Sequence, residues 1–492
     1  MHLSKSLYIR GLQCTKSLWF KIHQPELLSD VNPASTRKEQ GKDVGKLAWQ
    51  LFPDGIEIPY TTPEEQITLT QAYQDTGAAT LFEATFEYDD VQIMVDIFQI
   101  DNGLVDVFEV KSTTGVKKTH LDDLSIQYYV LSGLGFNIKS ANIINLNNDY
   151  VREEELDINQ LFLINDVTKQ IKKLQSLIPE TVTNQKDILH GSEPVVSIGA
   201  YCTNPYPCEA RKHCWQHIPS PSVFDIAGLT MEKKMAFYNQ GIVEFHQITD
   251  YKDLNPGQMI QVSGETIIDK EAISQFLSDI TYPISHLDFE AFQHAIPEWV
   301  GVKPYSQIPF QYSLHIEYED GRLEHKEFLA PPGEDPRLLL VENLIQDIAG
   351  EGSVLVYNMS FEKGILKNLA AQYPQYAETL NKIKERIVDL IIPFINKSYY
   401  TPAMGGKYSI KKVLPALIPE MENAYKDLDL VHDGLGAMTA YSQMDADDSE
   451  TRTALLKYCE LDTLAMVEIL KVLRNVEIFL YCRFEPLAIK FH

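Results

Sequence analysis

The placement of cysteine constrains this chain most. Cys14 lies near the N-terminus in Leu12-Gln13-Cys14-Thr15-Lys16-Ser17-Leu18-Trp19, and Cys202, Cys208 and Cys214 bunch together far downstream. Four thiolates sharing one soft metal ion or cluster would tie the two ends of a single domain together, because binding the group and folding the chain are then one event. Six cysteines among 492 residues are too few for a disulfide scaffold, and in a reducing compartment organised thiols point to metal or cluster ligation. Cys459 and Cys482 stand in apolar helical surroundings and read as packing residues.

The length exceeds what one hydrophobic core supports and sets an expectation of two or three domains. A net charge of −26 argues against general coating of a polyanion, which calls for a basic footprint. It leaves room for an acidic active site whose metal ions reverse the local field. Nucleic-acid contact would then fall to short clusters: Lys117-Lys118, Lys382 to Arg386, and Lys411-Lys412. No run of about 18 apolar residues occurs, and Met1-His2-Leu3-Ser4-Lys5-Ser6 lacks the apolar core of a signal peptide. A cytoplasmic protein with no membrane partner is expected.

Residues 8–50 read as helical, 81–100 and 104–110 as strands of a meander, 121–134 as a helix and 137–146 as a further strand. Asp96 ends one of these strands, and Glu109-Val110-Lys111 ends the next. Alternation puts Glu109 and Lys111 on one strand face and Val110 on the other. Two carboxylates from adjacent strands are a Mg²⁺ or Mn²⁺ pair, and a lysine two residues on positions water and offsets charge at a phosphorane. Gln127 follows on the helix.

With the four cysteines, this pattern resembles the PD-(D/E)XK nucleases of the RecB-like kind that carry an iron–sulfur cluster, over residues 5–218. The resemblance implies a restriction-endonuclease-like fold, catalytic Asp96, Glu109, Lys111 and Gln127, metal held by Asp96 and Glu109, and a [4Fe-4S] cluster on Cys14, Cys202, Cys208 and Cys214. Zinc is the alternative occupant. Structural zinc sites pair ligands two to four residues apart, and no two of these cysteines are that close. The group in either case is structural.

Pro219-Ser220-Pro221 marks a break, and residues 222–280 hold short amphipathic helices with Asn255-Pro256-Gly257 as a turn. From 283 strands and helices alternate again, as in a second α/β domain. Its acidic residues fall in three groups. Asp288 and Glu290 share a strand face with Phe289 turned to the core; Glu362 sits in the first turn of a helix after the buried strand 354–357; Tyr458 and Asp462 share a helix face at a spacing of four. Four converging carboxylates suit two metal ions and in-line phosphodiester hydrolysis. The order resembles the DEDD 3′–5′ exonucleases of the RNase H-like superfamily, in the variant with a motif-three tyrosine. That resemblance implies an RNase H-like fold, metal on Asp288, Glu290, Glu362 and Asp462, and a catalytic Tyr458 that orders water. Glu362 stands where the family has Asp, and Asp389 is the reserve candidate.

The whole chain resembles a bacterial family that joins an iron–sulfur RecB-like nuclease to an RNase H-like domain. The expected organisation is a nuclease-like domain over 1–220, a helical connector over 221–282 and an exonuclease-like domain over 283–492, all of mixed α/β (α+β) class. The expected activity is metal-dependent hydrolysis of nucleic acid, DNA ahead of RNA. The alternative is a nucleic-acid-binding or scaffold protein with one or both folds inactive. The runs 305–315 and 406–415 belong to the same resemblance, and two readings stay open for them: they lie beside the second site, where Lys411 or Lys412 would meet phosphate, or they are ordinary core and loop.

Overall fold

The computed structural model describes residues 2–29, 35–428 and 430–481, so Cys482 lies outside the described residues. The fold is of mixed α+β class. Two compact units divide it: residues 1–218 with 294–306, and residues 219–293 with 307–492. Residues 221–282, expected as a helical connector, fall within the second unit. Residues 294–306 belong to the first, where Gly301 N donates to Arg152 O and the Tyr305 hydroxyl to Ser112 O.

In the first unit a seven-stranded sheet combines β1 (Leu3–Ser4), β2 (Ile56–Glu57), β3 (Thr80–Tyr88), β4 (Val91–Asp101), β5 (Leu104–Lys111), β6 (Asn137–Leu146) and β7 (Phe162–Asp166). Strands β3, β4 and β5 form the antiparallel meander, and β6 pairs with β5 in parallel. Asp89 and Asp90 both take positive φ between β3 and β4, the conformation a tight hairpin turn requires. Helices α1 (Lys5–Gln13), α2 (Thr15–His23) and α3 (Ser35–Ala48) divide the long N-terminal helical stretch, and α4 (Pro63–Asp75) and α5 (Lys118–Gly133) follow. One core holds Val91, Ile93 and Val95 of β4 with Leu124, Ile126 and Val130 of α5, and α6 (Ile178–His190) adds Val182 and Leu189. A second gathers Val44 and Ala48 of α3 with Phe82, Ile97 and Phe108.

The strand alternation slips at one place. Along β4, Val91, Ile93 and Val95 lie in the first core, Ile97 in the second and Phe98 in the first again; along β3, Leu81 and Ala84 lie in the first core while Phe82 lies in the second. The slip falls at Asp96 and Glu83, between the paired positions Phe82/Ile97 and Ala84/Val95. Glu83 has φ 58°. Such irregularities re-aim side chains, and here the two carboxylates they carry both line one cavity.

In the second unit the sheet has the order β11-β10-β9-β12-β13. These are β9 (Ile284–Phe292), β10 (Ile308–Glu317), β11 (Leu323–Leu329), β12 (Val354–Val356) and β13 (Ile387–Asp389); β8 (Ile267–Ile268) and β14 (Tyr399–Tyr400) make a separate pair. Strand β10 runs antiparallel to β9 and β11, while β9, β12 and β13 are parallel. Leu287, Phe289, Tyr312 and Leu314 pack on one face with α7 (Arg337–Asp347), α8 (Met359–Gln372) and α9 (Ala377–Glu385). After α10 (Ile410–Leu417) and α11 (Gly434–Gln443), the long helix α12 (Ser449–Tyr481) packs on β9 and β10. The face of β10 beneath it is polar: Gln311, Ser313 and His315 are buried, and each bonds to α12. Asn255-Pro256-Gly257 is a helix start rather than a turn. The Asn255 side chain accepts from Gln258 N, and Pro256 opens a helix to Ser263, because proline's missing N–H costs nothing in a first turn that has no acceptor for it.

Candidate functional site

The first unit assembles Asp96, Glu109, Lys111 and Gln127 as one group. Alternation along β5 holds: Lys111 Nζ is 2.6 Å from Glu109 Oε1, while Val110 packs into the opposite core. Gln127 Nε2 donates to Glu109 Oε2 at 2.6 Å, and Asp96 Oδ2 accepts the Val110 backbone N–H at 2.7 Å. Asp96, Glu109, Lys111 and Glu83 line a cavity of about 830 Å³ with Lys46, Trp49 and Tyr60. Lys5 and Asp123 complete the group: Lys5 Nζ lies 3.2 Å from both Glu109 Oε1 and Asp123 Oδ1, and Lys111 Nζ is 2.6 Å from Asp123 Oδ2. Burial, with Asp123 and Asp96 nearby, pushes Glu109 up to about 7. Burial opposes the charge on Lys5 and Lys111, yet the surrounding carboxylates outweigh it and hold both lysines above their ordinary value. Burial works against the charge on Asp123 as well, and the same lysines reverse that and hold it below the usual carboxylate range. The lysines therefore satisfy Glu109 and Asp123 within the protein. Asp96 and Glu109 do not form a trio of ligand atoms with any third such residue within 4.8 Å among the described residues.

The four cysteines come from the two ends of the unit. Cys14 is the N-cap of α2 and its Sγ accepts from Ser17 N at 3.5 Å; Cys202 and Cys208 flank a loop closed by the bond from Cys208 N to Cys202 O. Gln13 Nε2 donates to Tyr201 O and Tyr206 O at 2.8 and 2.7 Å, and Arg10 pairs with Glu209 at 2.8 Å, so the ends are tied around the thiols. Burial raises the Cys14 and Cys214 thiols, and each is raised further by the other cysteines. A zinc ion would draw the sulfurs to about 2.3 Å from one centre. No three thiols lie within 4.8 Å of one another among the described residues.

In the second unit Asp288, Glu290 and Asp462 each offer an oxygen within 4.8 Å of the other two. Their placement follows from two periodicities: Leu287 and Phe289 take the core face of β9, and Tyr458 and Asp462 stand one turn apart on α12. All three carboxylates and Tyr458 line a cavity of about 340 Å³ with Phe361 and Lys411. Burial and mutual repulsion raise Asp288 strongly, with Asp462, Glu290 and Glu362 contributing. Burial and Asp462 push Glu290 up to about 8. Asp462 rises to about 6 through burial, tempered by the Tyr425 hydroxyl, which donates to it at 2.6 Å, and by Lys411. Lys411 Nζ donates to the Tyr458 hydroxyl at 2.9 Å.

Glu362 lies close enough to add to the Asp288 shift but outside the trio. It is 1% exposed, its Oε2 has no hydrogen-bond partner among the described residues, and burial first, then Asp389, pushes it up to about 8. Asp389, the reserve candidate, is committed elsewhere. Its carboxylate accepts the backbone N–H groups of Asn358, Met359 and Ile391 at 2.9, 2.8 and 3.2 Å, which fixes the left-handed Asn358 (φ 78°) at the start of α8. Cys459 is buried as a packing residue, with its Sγ 3.7 Å from Asp288 Oδ2. A carboxylate trio with Glu290 and Asp462 buried and Asp288 half-buried, and with an orphaned carboxylate oxygen beside it, fits a hard divalent cation of the Mg²⁺ or Mn²⁺ type.

Lys5, Glu83, Asp123 and Tyr425 are absent from the expectation. Asp123 had a legible signal, its spacing of four from Gln127 on a helix. The basic cluster at 382–386 is spent locally: Lys382 pairs with Glu378, and Arg386 bonds the carbonyls of Ala349, Glu351 and Gly352.

Residues 285–409 match a domain of unknown function (DUF2779). That span contains Asp288, Glu290, Glu362 and Asp389 and stops short of Lys411, Tyr458 and Asp462. An uncharacterized protein of Mycoplasma genitalium is 26% identical over 215 residues, 39% of this chain and 32% of the relative. An uncharacterized protein of Ureaplasma parvum serovar 3 is 29% identical over 161 residues, 30% of this chain and 23% of the relative. The chain thus spans a third or less of the length of these curated relatives. No described helix is long and apolar enough to cross a membrane.

Proposed function

We propose that this chain is a divalent-metal-dependent nuclease that hydrolyses phosphodiester bonds, DNA ahead of RNA, with its principal site in the second unit. The convergence of Asp288, Glu290 and Asp462 beside the unpartnered oxygen of Glu362 carries this reading. Four carboxylates crowded into one largely buried patch repel one another once ionised, and a bound cation would relieve that repulsion. These residues would hold Mg²⁺ or Mn²⁺, which supplies charge stabilisation at the phosphoryl oxygens and eases deprotonation of water. Tyr458, fixed by Lys411, orders the attacking water by hydrogen bonding. Burial and neighbouring carboxylates raise its hydroxyl further above neutrality, so it keeps its proton and orients rather than abstracts. The Lys411 ammonium offsets negative charge as phosphate enters. The strand order with β10 antiparallel to its neighbours supports the RNase H-like reading of this unit.

The Asp96, Glu109, Lys111 and Gln127 group of the first unit is a second nuclease site of the RecB-like kind, and Cys14, Cys202, Cys208 and Cys214 hold a [4Fe-4S] cluster that closes the unit. Here Lys5 and Lys111 already pair with Glu109 and Asp123, so a cation held by Asp96 and Glu109 would compete with these lysines. Single-stranded and duplex DNA and RNA, labelled at either end, test the function. Release of 3′-terminal nucleotides in Mn²⁺ or Mg²⁺ that stops in excess chelator is expected. No hydrolysis of any of these substrates in either metal would leave the binding or scaffold role.

A further inference from the structure

The second unit carries a cluster of metal-ligating side chains that the proposed reaction does not use. His315 of β10 and His325 of β11 are directly paired across the two strands, and Glu460 reaches them from α12. One ligand atom of each lies within 4.8 Å of the other two. The imidazoles stack with centroids 4.4 Å apart.

The hydroxyls around them decide which nitrogens are available. His315 Nδ1 is 2.8 Å from Thr463 Oγ1, and His325 Nε2 is 3.0 Å from Ser313 Oγ. The two hydroxyls bond each other at 2.7 Å, and Thr463 Oγ1 also donates to Glu460 O at 3.0 Å. Each ring therefore has one nitrogen held by a hydroxyl network and the other left over. His325 Nδ1 is the nitrogen facing Glu460, 3.8 Å from its Oε1. A hydrogen bond at one ring nitrogen fixes orientation and leaves the other as a lone-pair donor, which is how proteins prepare histidine for a metal. Two imidazoles and one carboxylate are an established donor set for Zn²⁺, with a fourth position open to water. His315 is 4% exposed, and the His325 and Glu460 side chains are 25% and 45% exposed, so the group is anchored at its base and open at its rim.

We propose that His315, His325 and Glu460 bind a transition-metal ion of the Zn²⁺ class, separate from the carboxylate site, and that this ion clamps α12 to the edge of the sheet. The same helix carries Tyr458 and Asp462, the first of them two residues before Glu460 and the second two residues after it. An ion at Glu460 therefore fixes the register of the helix against β10 and β11 where those side chains leave it. The hard carboxylate site favours Mg²⁺ or Mn²⁺, whereas the imidazole pair selects a softer ion, so the two are separable by metal.

The test is Zn²⁺ binding by the full chain after loosely held metal has been removed with chelator, followed by equilibrium dialysis with elemental analysis and by thermal unfolding. The parent and an Asp288→Ala variant should both bind the ion and gain Tm with it, since binding to the folded state alone stabilises it. His325→Ala and Glu460→Gln should bind one Zn²⁺ fewer or bind it at least about tenfold more weakly, and should lose that Tm gain. Glu460 is half-exposed, so its variant decides the matter should His325→Ala fail to fold. Unchanged Zn²⁺ stoichiometry and affinity in Glu460→Gln would overturn the proposal, as would loss of the ion in Asp288→Ala with retention in Glu460→Gln.

Discussion

Glu362 shows how a single side chain exposes the demand of a site. A buried carboxyl with an unpartnered oxygen lowers the stability of the fold it sits in unless it keeps its proton or meets a cation. Its folded value of about 8 stands above its ordinary 4.5. Between those values the unfolded chain has released the proton and the folded chain has not, so the folded state binds more protons and its stability falls as pH rises. In chelator, Glu362→Gln should therefore be near neutral at pH 5 and stabilising at pH 8 by on the order of 1–3 kcal/mol. Mg²⁺ or Mn²⁺ should shrink the difference by stabilising the parent. Melting curves at the two pH values decide it, and a variant less stable than the parent at pH 8 in chelator would contradict the account. Glu290, also near 8, adds to the same downward slope.

At the level of elements, regular periodicity was legible and departures from it were not. Period two along β9 was enough to place Asp288 and Glu290 together, as was a spacing of four for Tyr458 and Asp462 on α12. Glu109 and Lys111 follow the same rule on β5. Glu83 was invisible because it reaches the cavity through a slip in the β3 alternation with φ 58°, which no period-two reading contains. Lys5 and Tyr425 come from a helix start and a loop whose positions are set by tertiary packing alone. Asp389 was readable as an acidic residue at a strand end but not as a cap, since its three backbone donors come from two different segments. The Asn255-Pro256-Gly257 stretch carries both turn and helix-start signals. The Gln258 side chain, bonded back to Asn255 N at 3.0 Å, tips it to the helix.

Across the whole molecule, two chemically different arrangements share one chain. The first unit balances its acidic residues with Lys5 and Lys111, and its ends meet around four thiols; the second leaves a carboxylate trio facing a single cavity. If the thiols hold a cluster, protein purified without air should contain iron and acid-labile sulfide in equal amounts, and Cys208→Ala should lose both and destabilise the first unit. Zinc that disappears in Cys208→Ala, with no sulfide in the parent, would assign the thiols to zinc. The central claim is that the second unit cuts nucleic acid through Asp288, Glu290 and Asp462. Its most direct measurement is the rate of 3′-end shortening of 5′-labelled single-stranded DNA in Mn²⁺ by a Glu109→Ala protein, set against Glu109→Ala with Asp288→Ala and Asp462→Ala added. A fall of about 10²–10³-fold or more is expected, because charge stabilisation at the transition state goes with the carboxylates. Equal rates in the two proteins would show that this trio is not the site of cleavage.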